Sequence, residues 1–315
     1  MITVLVPDPS FGAAYNMVPA LNAWQDTRLI SKRPDGFRTW DCGLLLNSFD
    51  NQLEAWRLID ASAFTLVVGV EGIKILQGIG DNRWIREKRV VAFMMGKRYW
   101  ENGVSTNNLM ADLKIDHLYV LPNLLDVAPK HAVPMLQPVA VPETVERPSF
   151  LTVMHAPGTP KKRDQKGTDV IERVVGKLST DYQFDYRTVM WTDHATCLRI
   201  KQRAHIFIDQ IPPEGQTRGL GMSGEEAMAA GSVVVTAMYD QSDLVEYWPV
   251  PPPVLEAYDA DELETHLRKW MMLDSREELE SLGKASRRWA VDNLSFGAWL
   301  AYFREHLPEE LNNDG

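Results

Sequence analysis

Residues 204–237 read AHIFIDQIPPEGQTRGLGMSGEEAMAAGSVVVTA, and this order of residue types indicates one unit of a parallel α/β sheet. Ile206–Ile208 is a short apolar strand, and the glycines of residues 219–224 leave the following loop free to adopt positive φ angles. Strong helix formers over Glu225–Ala230 predict a helix that a glycine ends. Val233–Thr236 predicts the next buried strand. A glycine-rich loop between a buried strand and a helix is typical of a ligand pocket.

A second informative segment, residues 150–171, reads FLTVMHAPGTPKKRDQKGTDVI and predicts a strand, a loop and the start of a helix. Gly167 lets the backbone approach a ligand closely, Thr168 is placed to cap the helix, and the helix amides face an anion. Arg163 and Lys166 supply positive charge. A charged run such as KKRDQK is by itself more often a solvated surface turn. Both segments together, in this order, favour a diphosphate site.

The two segments resemble the donor-binding domain of retaining GT-B glycosyltransferases of the family-4 type. In that family a glutamate in an EAMA-x-G helix binds the donor ribose, and Glu226 occupies the matching position. The family's phosphate loop contains H-x-P, a basic residue and K-G-T, which are matched here by His155, Pro157, Arg163, Lys166, Gly167 and Thr168. The resemblance implies that Lys166 and Arg163 stabilise the departing diphosphate and that His155 lies near the donor.

One position departs from the family pattern. A second glutamate normally stands eight residues before the helix glutamate and contacts the donor sugar, whereas this chain has Arg218 there. Three interpretations follow. Arg218 contributes to phosphate binding, or the loop binds the sugar through the backbone amides of Gly221, Met222 and Ser223. Alternatively, the domain binds a nucleotide sugar without catalysing its reaction.

Length and composition predict a two-domain globular protein. The chain has 315 residues, of which 45% are apolar and 24% charged, and its net charge is −10. No apolar run is long enough to span a membrane, and the N-terminal MITVLVPDPS looks like a first strand rather than a secretory signal. We therefore expect a cytoplasmic protein, whose negative charge opposes unspecific binding to nucleic acid.

Strands and helices alternate along both halves of the chain, which predicts parallel α/β sheets. The expected fold is GT-B: two Rossmann-like doubly wound domains facing a central cleft, with a C-terminal helix crossing back to the first domain. The expected domains are an acceptor-binding domain, a nucleotide-sugar-binding domain and the returning helix, at residues 1–145, 146–290 and 291–315. The aromatic residues of the last helices have helical spacing and are expected in the core: Trp289, Trp299, Tyr302 and Phe303.

The N-terminal half is expected to bind the acceptor. Gly12 follows the first strand, where α/β proteins place ligands, although any strand-to-helix turn can use a glycine. After a later strand come Lys97 and Arg98, which suit an anionic acceptor, and Tyr99 and Trp100, which can stack on a sugar ring or a base. A solvated charged turn with packed aromatic residues is the alternative.

The resemblance implies transfer of a hexose or pentose from a nucleoside diphosphate, UDP or GDP, to the hydroxyl of a saccharide or small molecule with retention. No H-x-x-x-H or C-x-x-C pair suggests a metal site, so the reaction is expected to need neither metal nor other cofactor. Two alternatives stay open. One is a viral-type enzyme that glycosylates a hydroxylated DNA base, and the other is a non-catalytic nucleotide-sugar-binding or assembly protein.

Overall fold

The computed structural model describes residues 1–6, 13–31, 44–46, 49–95, 97–214, 216, 218–239, 250–272 and 275–312. Its strands are β1 (Ile2–Val6), β2 (Thr27–Ser31), β3 (Leu44–Leu45), β4 (Phe64–Val68), β5 (Val90–Met94), β6 (His117–Val120), β7 (Val133–Pro134), β8 (Thr152–Gly158), β9 (Asp185–Met190), β10 (Ile206–Gln210), β11 (Val233–Thr236) and β12 (Leu255–Glu256). Its helices are α1 (Ala13–Asn22), α2 (Phe49–Asp60), α3 (Gly69–Ile79), α4 (Asn82–Arg86), α5 (Lys97–Asp112), α6 (Arg163–Lys166), α7 (Thr168–Leu178), α8 (His194–Arg203), α9 (Met222–Ala229), α10 (Ala260–Met271), α11 (Arg276–Leu294), α12 (Phe296–Glu305) and α13 (Glu309–Asn312). Short 3-10 helices cover Pro122–Val127 and Pro160–Lys162.

The chain forms two compact units. Unit 1 comprises Met1–Pro138 and Phe296–Gly315, and unit 2 comprises Val139–Ser295. In the described residues of unit 1, seven parallel strands pair in the order β3-β2-β1-β4-β5-β6-β7. In those of unit 2, five parallel strands pair in the order β12-β11-β10-β8-β9. The α/β class with two parallel sheets is as predicted.

The C-terminal helix α12 belongs to the core of unit 1. Trp299 and Phe303 are buried among residues of β1, β4 and β6. Tyr119 on β6 donates its hydroxyl hydrogen bond to the carbonyl of Phe303 (2.7 Å), and the Trp299 indole donates to the carbonyl of Leu136 (3.0 Å). The predicted core position of these aromatic side chains is therefore confirmed.

Helix α9 begins three residues before the predicted start. Its first residue is Met222, so Ser223 and Gly224 belong to the helix rather than to the loop. Gly224 packs closely against its neighbours, because a Cβ there would lie 2.7 Å from a Leu220 methyl and 3.1 Å from an Asp209 oxygen and would displace the Leu220 side chain. Glu226 consequently lies in the second turn of α9 and not at its opening.

Candidate functional site

The strand order in the sheet of unit 2 has a topological switch point at β8, because the next two strands along the chain lie on opposite sides of it. From β8 the chain adds β9 on one side and then returns to add β10 on the other, where Ile208 pairs with His155. In parallel α/β sheets, ligands bind at the carboxyl ends of the strands that flank such a switch point. Most of the predicted donor-site residues lie between β8 and the start of α7 or between β10 and the end of α9.

His155 ties three elements together at this point. Its ring is fully buried, with Nδ1 2.8 Å from the carbonyl of Ile208 on β10 and Nε2 2.9 Å from the hydroxyl of Thr168 on α7. Burial lowers the pKa of His155 to about 4, so the ring is neutral at pH 7. A carbonyl only accepts, so Nδ1 donates to Ile208 and Nε2 accepts from Thr168.

These bonds bear on two predictions. His155 was expected to act in catalysis near the donor; both of its ring nitrogens are bonded within the protein, and its role toward a donor stays a prediction. Thr168 was expected to cap its helix, which is wrong, because its buried hydroxyl faces His155 and the N-cap residue of α7 is Gly167. The two side chains together join β8, β10 and α7.

Gly167 has the backbone freedom expected of the phosphate loop. Its φ is +65°, and a Cβ at this position would lie 1.7 Å from the carbonyl oxygen of Ile211. The amide of Ile211 in turn donates to the carbonyl of Lys166 (3.0 Å). The loop after β8 therefore packs directly, backbone against backbone, on the chain that leaves β10.

Lys166 and Asp209 join the same two loops through an ion pair. Lys166 Nζ lies 2.7 Å from Asp209 Oδ1, and Asp209 Oδ2 accepts a 2.7 Å hydrogen bond from the amide of Gly221, the N-cap residue of α9. The Asp209 side chain is fully buried, whereas the Lys166 side chain is 17% exposed. The lysine is thus the accessible end of a chain of contacts from the phosphate loop to α9.

Arg163 is engaged by carboxylates of the helix that follows it. Its Nη2 lies 2.7 Å from Asp169 Oδ1 and 2.6 Å from Glu172 Oε2. A second bond, of 3.2 Å, joins Nη1 to the other oxygen of Glu172. Arg163 was predicted to neutralise a diphosphate, but the carboxylates of Asp169 and Glu172 already offset its positive charge.

Glu226 forms the centre of a buried polar group. Its Oε2 lies 2.6 Å from Lys201 Nζ, and its Oε1 accepts from His194 Nε2 at 2.6 Å, both on α8. Burial raises the pKa of Glu226, but the Lys201 charge and the His194 hydrogen bond outweigh burial and lower it to about 2. The carboxylate is ionised at pH 7. Sequence reasoning missed Lys201 and His194, although they stand seven positions apart on one helix, a spacing that places both on one face.

The loop between β10 and α9 positions the remaining donor-site candidates. Arg218 is exposed, and its guanidinium lies 5.0 Å from the ring centre of Tyr258. Met222 and Ser223 form the half-buried first turn of α9. The Gly221 amide, a candidate for sugar contact, is bonded to Asp209.

Trp191 stands at the carboxyl end of β9, next to the end of β8. Its amide donates to the carbonyl of Gly158 (3.1 Å). Its φ of +54° is uncommon for a bulky residue, and its side chain is 64% exposed. An exposed indole here lies on the same sheet edge as the phosphate loop.

The acceptor candidates in unit 1 have different environments. Tyr99 is fully buried, and its hydroxyl donates to Asn107 Oδ1 (2.7 Å), so the prediction that it stacks on a ligand is wrong. Arg98 is exposed and pairs with Glu71, and Trp100 is 40% exposed. Lys97 begins α5, but its side chain lies outside the described part of the chain, as does Gly12 entirely.

Two kinds of feature are absent from the described residues. None of the helices there is long and apolar enough to cross a membrane. Nor do three or more histidine, cysteine, aspartate or glutamate side chains gather there in a way that would hold a metal ion.

Comparison with known proteins shows the fold. No protein-family model matches the chain, and no curated protein matches it in sequence. HepE from Anabaena in complex with UDP is similar with a TM-score of 0.65 at 10% identity, covering 96% of this chain and 98% of that one. A glycosyltransferase from Rickettsia africae ESF-5 gives 0.60 at 12% identity, covering 99% of both chains. Sucrose-phosphate synthase from Thermosynechococcus elongatus gives 0.60 at 11% identity, covering 96% and 97%. The chain has the GT-B fold, as predicted.

Proposed function

We propose that this protein is a glycosyltransferase that binds a nucleoside-diphosphate sugar in unit 2 and transfers the sugar to an acceptor hydroxyl with retention. The observation that carries the proposal is the switch point of the unit 2 sheet. A basic, glycine-containing loop follows β8, and the helix bearing Glu226 follows β10. The likeness to HepE, a protein of the same fold in complex with UDP, supports a nucleotide as the ligand.

The diphosphate is assigned to the loop between β8 and α7. Lys166 is a basic residue of this loop, and its pairing with Asp209 fixes the position of the ammonium before a ligand arrives. A preorganised charge stabilises the leaving diphosphate without reorganisation during the reaction. Arg163 acts as a weaker contributor because Asp169 and Glu172 already bind it.

The nucleoside is assigned to the neighbouring edge of the sheet. The exposed indole of Trp191 supplies a flat apolar surface for a base, and the group around Glu226 supplies polar contacts for the ribose. The positive φ of Trp191 stores about 1 kcal/mol of backbone strain, which is typical of functional positions.

The reaction exchanges one oxygen for another on the anomeric carbon of the sugar. The bond to the diphosphate oxygen breaks, the acceptor oxygen forms the new bond on the same face, and the proton of the acceptor hydroxyl is released. Lys166 stabilises the charge that develops on the diphosphate, and no metal ion is required. A hexosyl donor bound to UDP and a saccharide acceptor are the first pair to test, with Arg98 and Trp100 as the acceptor-side candidates.

A non-catalytic nucleotide-binding protein is the second candidate. The observation that favours it is Arg218, which stacks on Tyr258 at the position where the resembling family has a sugar-binding glutamate. This candidate predicts nucleotide binding with neither donor hydrolysis nor sugar transfer.

The first experiment is thermal stabilisation of the wild-type protein by UDP-, GDP-, ADP- and dTDP-sugars, because a ligand that binds only the folded state raises the melting temperature. One donor is expected to raise it, and Lys166→Met is expected to weaken the effect. Lys177→Met removes an exposed lysine in the last turn of α7, away from this loop, and serves as the control. Stabilisation by none of these donors would overturn the proposal. Stabilisation without release of the nucleoside diphosphate, tested with saccharide acceptors, would favour the second candidate.

A further inference from the structure

Lys201, Glu226 and His194 form a line from the interior to the surface of unit 2. The exposed fractions of their side chains are 1%, 5% and 24% in that order. Each contact in the line is 2.6 Å long, from Lys201 Nζ to Glu226 Oε2 and from Glu226 Oε1 to His194 Nε2. A ligand that approaches from solvent therefore meets the histidine before it meets the carboxylate.

The hydrogen bond to Glu226 fixes what His194 offers such a ligand. A carboxylate only accepts, so Nε2 carries the proton of this bond. None of the residues that the structure describes forms a hydrogen bond with Nδ1. A hydroxyl group both donates and accepts, so it can bond the oriented Nδ1 whether or not this nitrogen carries a proton.

The location of His194 connects it with the proposed nucleotide site. It is the first residue of α8, and the carboxylate of Asp193 caps that helix by accepting from the amide of Thr196 (2.8 Å). Two residues before the cap stands the exposed Trp191, whose amide is bonded to the end of β8. His194 therefore lies in the turn that follows β9, beside the strand that leads to the phosphate loop.

We propose that His194 binds a ribose hydroxyl of the nucleotide through Nδ1, with Glu226 and Lys201 as positioning residues behind it, and that the site selects ribonucleotides over deoxyribonucleotides. The inference rests on the proposed nucleotide-binding function. A pocket built to bond a hydroxyl discriminates strongly against a ligand that lacks it, because a polar group is then left unpaired.

The positioning role of Lys201 follows from the charges around Glu226. Helix α8 contributes Lys201 and His194, whereas Arg287 of α11 bonds the carbonyl of Ala229 at the far end of α9. On β10, Asp209 is already paired with Lys166. Lys201 is therefore the cation that holds the buried carboxylate ionised, and the ionised carboxylate in turn orients His194.

Calorimetric titration with matched nucleotides tests the contact. The probe is the nucleoside diphosphate that stabilises the wild type most in the UDP, GDP, ADP and dTDP panel, compared with its 2′-deoxy and 3′-deoxy forms. The wild type is expected to bind at least one deoxy form about tenfold more weakly. In His194→Ala this discrimination is expected to disappear, because the ribo form loses the affinity that the deoxy form never had.

The possible outcomes separate the two proposals. If no nucleotide binds the wild type, the proposed function fails. If nucleotides bind but the deoxy forms bind as tightly as the ribo form, or if discrimination survives in His194→Ala, only this inference is overturned. Strongest binding by dTDP, which lacks the 2′-hydroxyl, together with equal binding of its 3′-deoxy form, would also overturn it.

The pH dependence of nucleotide affinity tests Lys201. Between about pH 5 and about pH 9, Glu226 of the wild type is expected to stay ionised, because its pKa is about 2. Protonation of Glu226 therefore makes no contribution to the pH dependence of nucleotide affinity in this range. In Lys201→Met the buried carboxylate loses its counter-charge and its pKa rises. The affinity of this variant is then expected to fall as the pH is lowered and to recover in alkali.

Lys177→Met removes an exposed lysine and is the matched control. The same pH profile in Lys201→Met and in the control would overturn the positioning role. Should Lys201→Met fail to fold, the His194→Ala titration still tests the contact. His194 is partly exposed, and after its truncation the buried Glu226 carboxylate is still paired with Lys201.

Discussion

The ammonium of Lys166 lies 2.7 Å from a carboxylate oxygen of Asp209, whose side chain is fully buried. The other oxygen of Asp209 accepts the amide hydrogen bond of Gly221, where α9 begins. One buried carboxylate therefore fixes both the cation assigned to the diphosphate and the start of the helix that carries Glu226.

Neutralising one member of the Lys166–Asp209 pair is expected to cost more than neutralising both. Lys166→Met leaves a buried carboxylate without its cation and is expected to lower the free energy of unfolding by about 3 kcal/mol. In Lys166→Met with Asp209→Asn the loss is expected to be smaller than in the single Lys166 variant. Urea unfolding of the two single variants and the double variant measures the coupling. Additive losses would contradict a direct interaction.

Alanine is expected to have opposite effects at two glycines of one segment. Gly167→Ala combines a positive φ with a 1.7 Å approach to Ile211 and is expected to lower the stability by about 3 kcal/mol or more. Gly176→Ala, at an exposed position in the last turn of α7 with open space around it, is expected to raise the stability by up to about 1 kcal/mol. Melting temperatures of both variants provide the measurement. A harmless Gly167→Ala would show that the loop does not need its left-handed residue.

Arg287 is expected to stabilise the end of α9. It donates to the carbonyl of Ala229, near the end of the helix, and to the carbonyl of Pro142 (2.7 Å). Arg287→Ala is expected to lower the free energy of unfolding by about 1–2 kcal/mol, because two partly buried carbonyls lose a charged donor. The neighbouring exposed Arg288→Ala is the control. Equal effects of the two variants in urea would argue against the capping role.

The stability of the protein is expected to fall as the pH decreases through the range in which unfolded histidine becomes protonated. Burial lowers the pKa of His155 to about 4 from the ordinary histidine value of 6.5, so between these values the unfolded chain binds the extra proton. The stability contributed by neutral His155 is complete above pH 6.5 and is lost toward pH 4, up to about 3 kcal/mol. Urea unfolding at several pH values should give a shallower dependence for His155→Gln. His205, whose pKa is likewise about 4, continues to contribute in both proteins.

Trp191→Ala is expected to weaken nucleotide binding by about tenfold while leaving pyrophosphate binding unchanged, because the indole is assigned to the base and not to the diphosphate. Trp191→Phe is expected to retain part of the affinity. Calorimetric titration of both ligands measures the difference. A parallel loss for nucleotide and pyrophosphate would indicate that the residue only supports the loop.

Local sequence patterns predicted the main strands of both sheets because apolar runs end there in glycine and helix signals. The strands β2, β7 and β12 were missed, since β2 contains charged Arg28 and β7 and β12 have two residues each. The start of α9 was misplaced because the glycines before Glu225 look like a loop, while Asp209 provides the tertiary contact that fixes Gly221.

The environment of Glu226 shows a second limit of sequence reasoning. The EAMA pattern identified the residue, but a buried lysine partner is unexpected from composition, because lysine is rarely buried. Likewise, no local signal distinguishes the buried Tyr99 from the exposed Trp100 that follows it. Contacts between distant segments decide both cases.

The return of α12 to unit 1 has a consequence for biosynthesis. Trp299 and Phe303 fill the core beside β1 and β6, but the ribosome makes them only after all of unit 2. At about 5–20 residues per second, the nascent N-terminal sheet waits on the order of ten seconds for the helix that covers it. Unit 2, whose residues are contiguous, completes its own core first. The first half of the chain therefore emerges with an uncovered apolar face, and this is the interval in which chaperones would be needed.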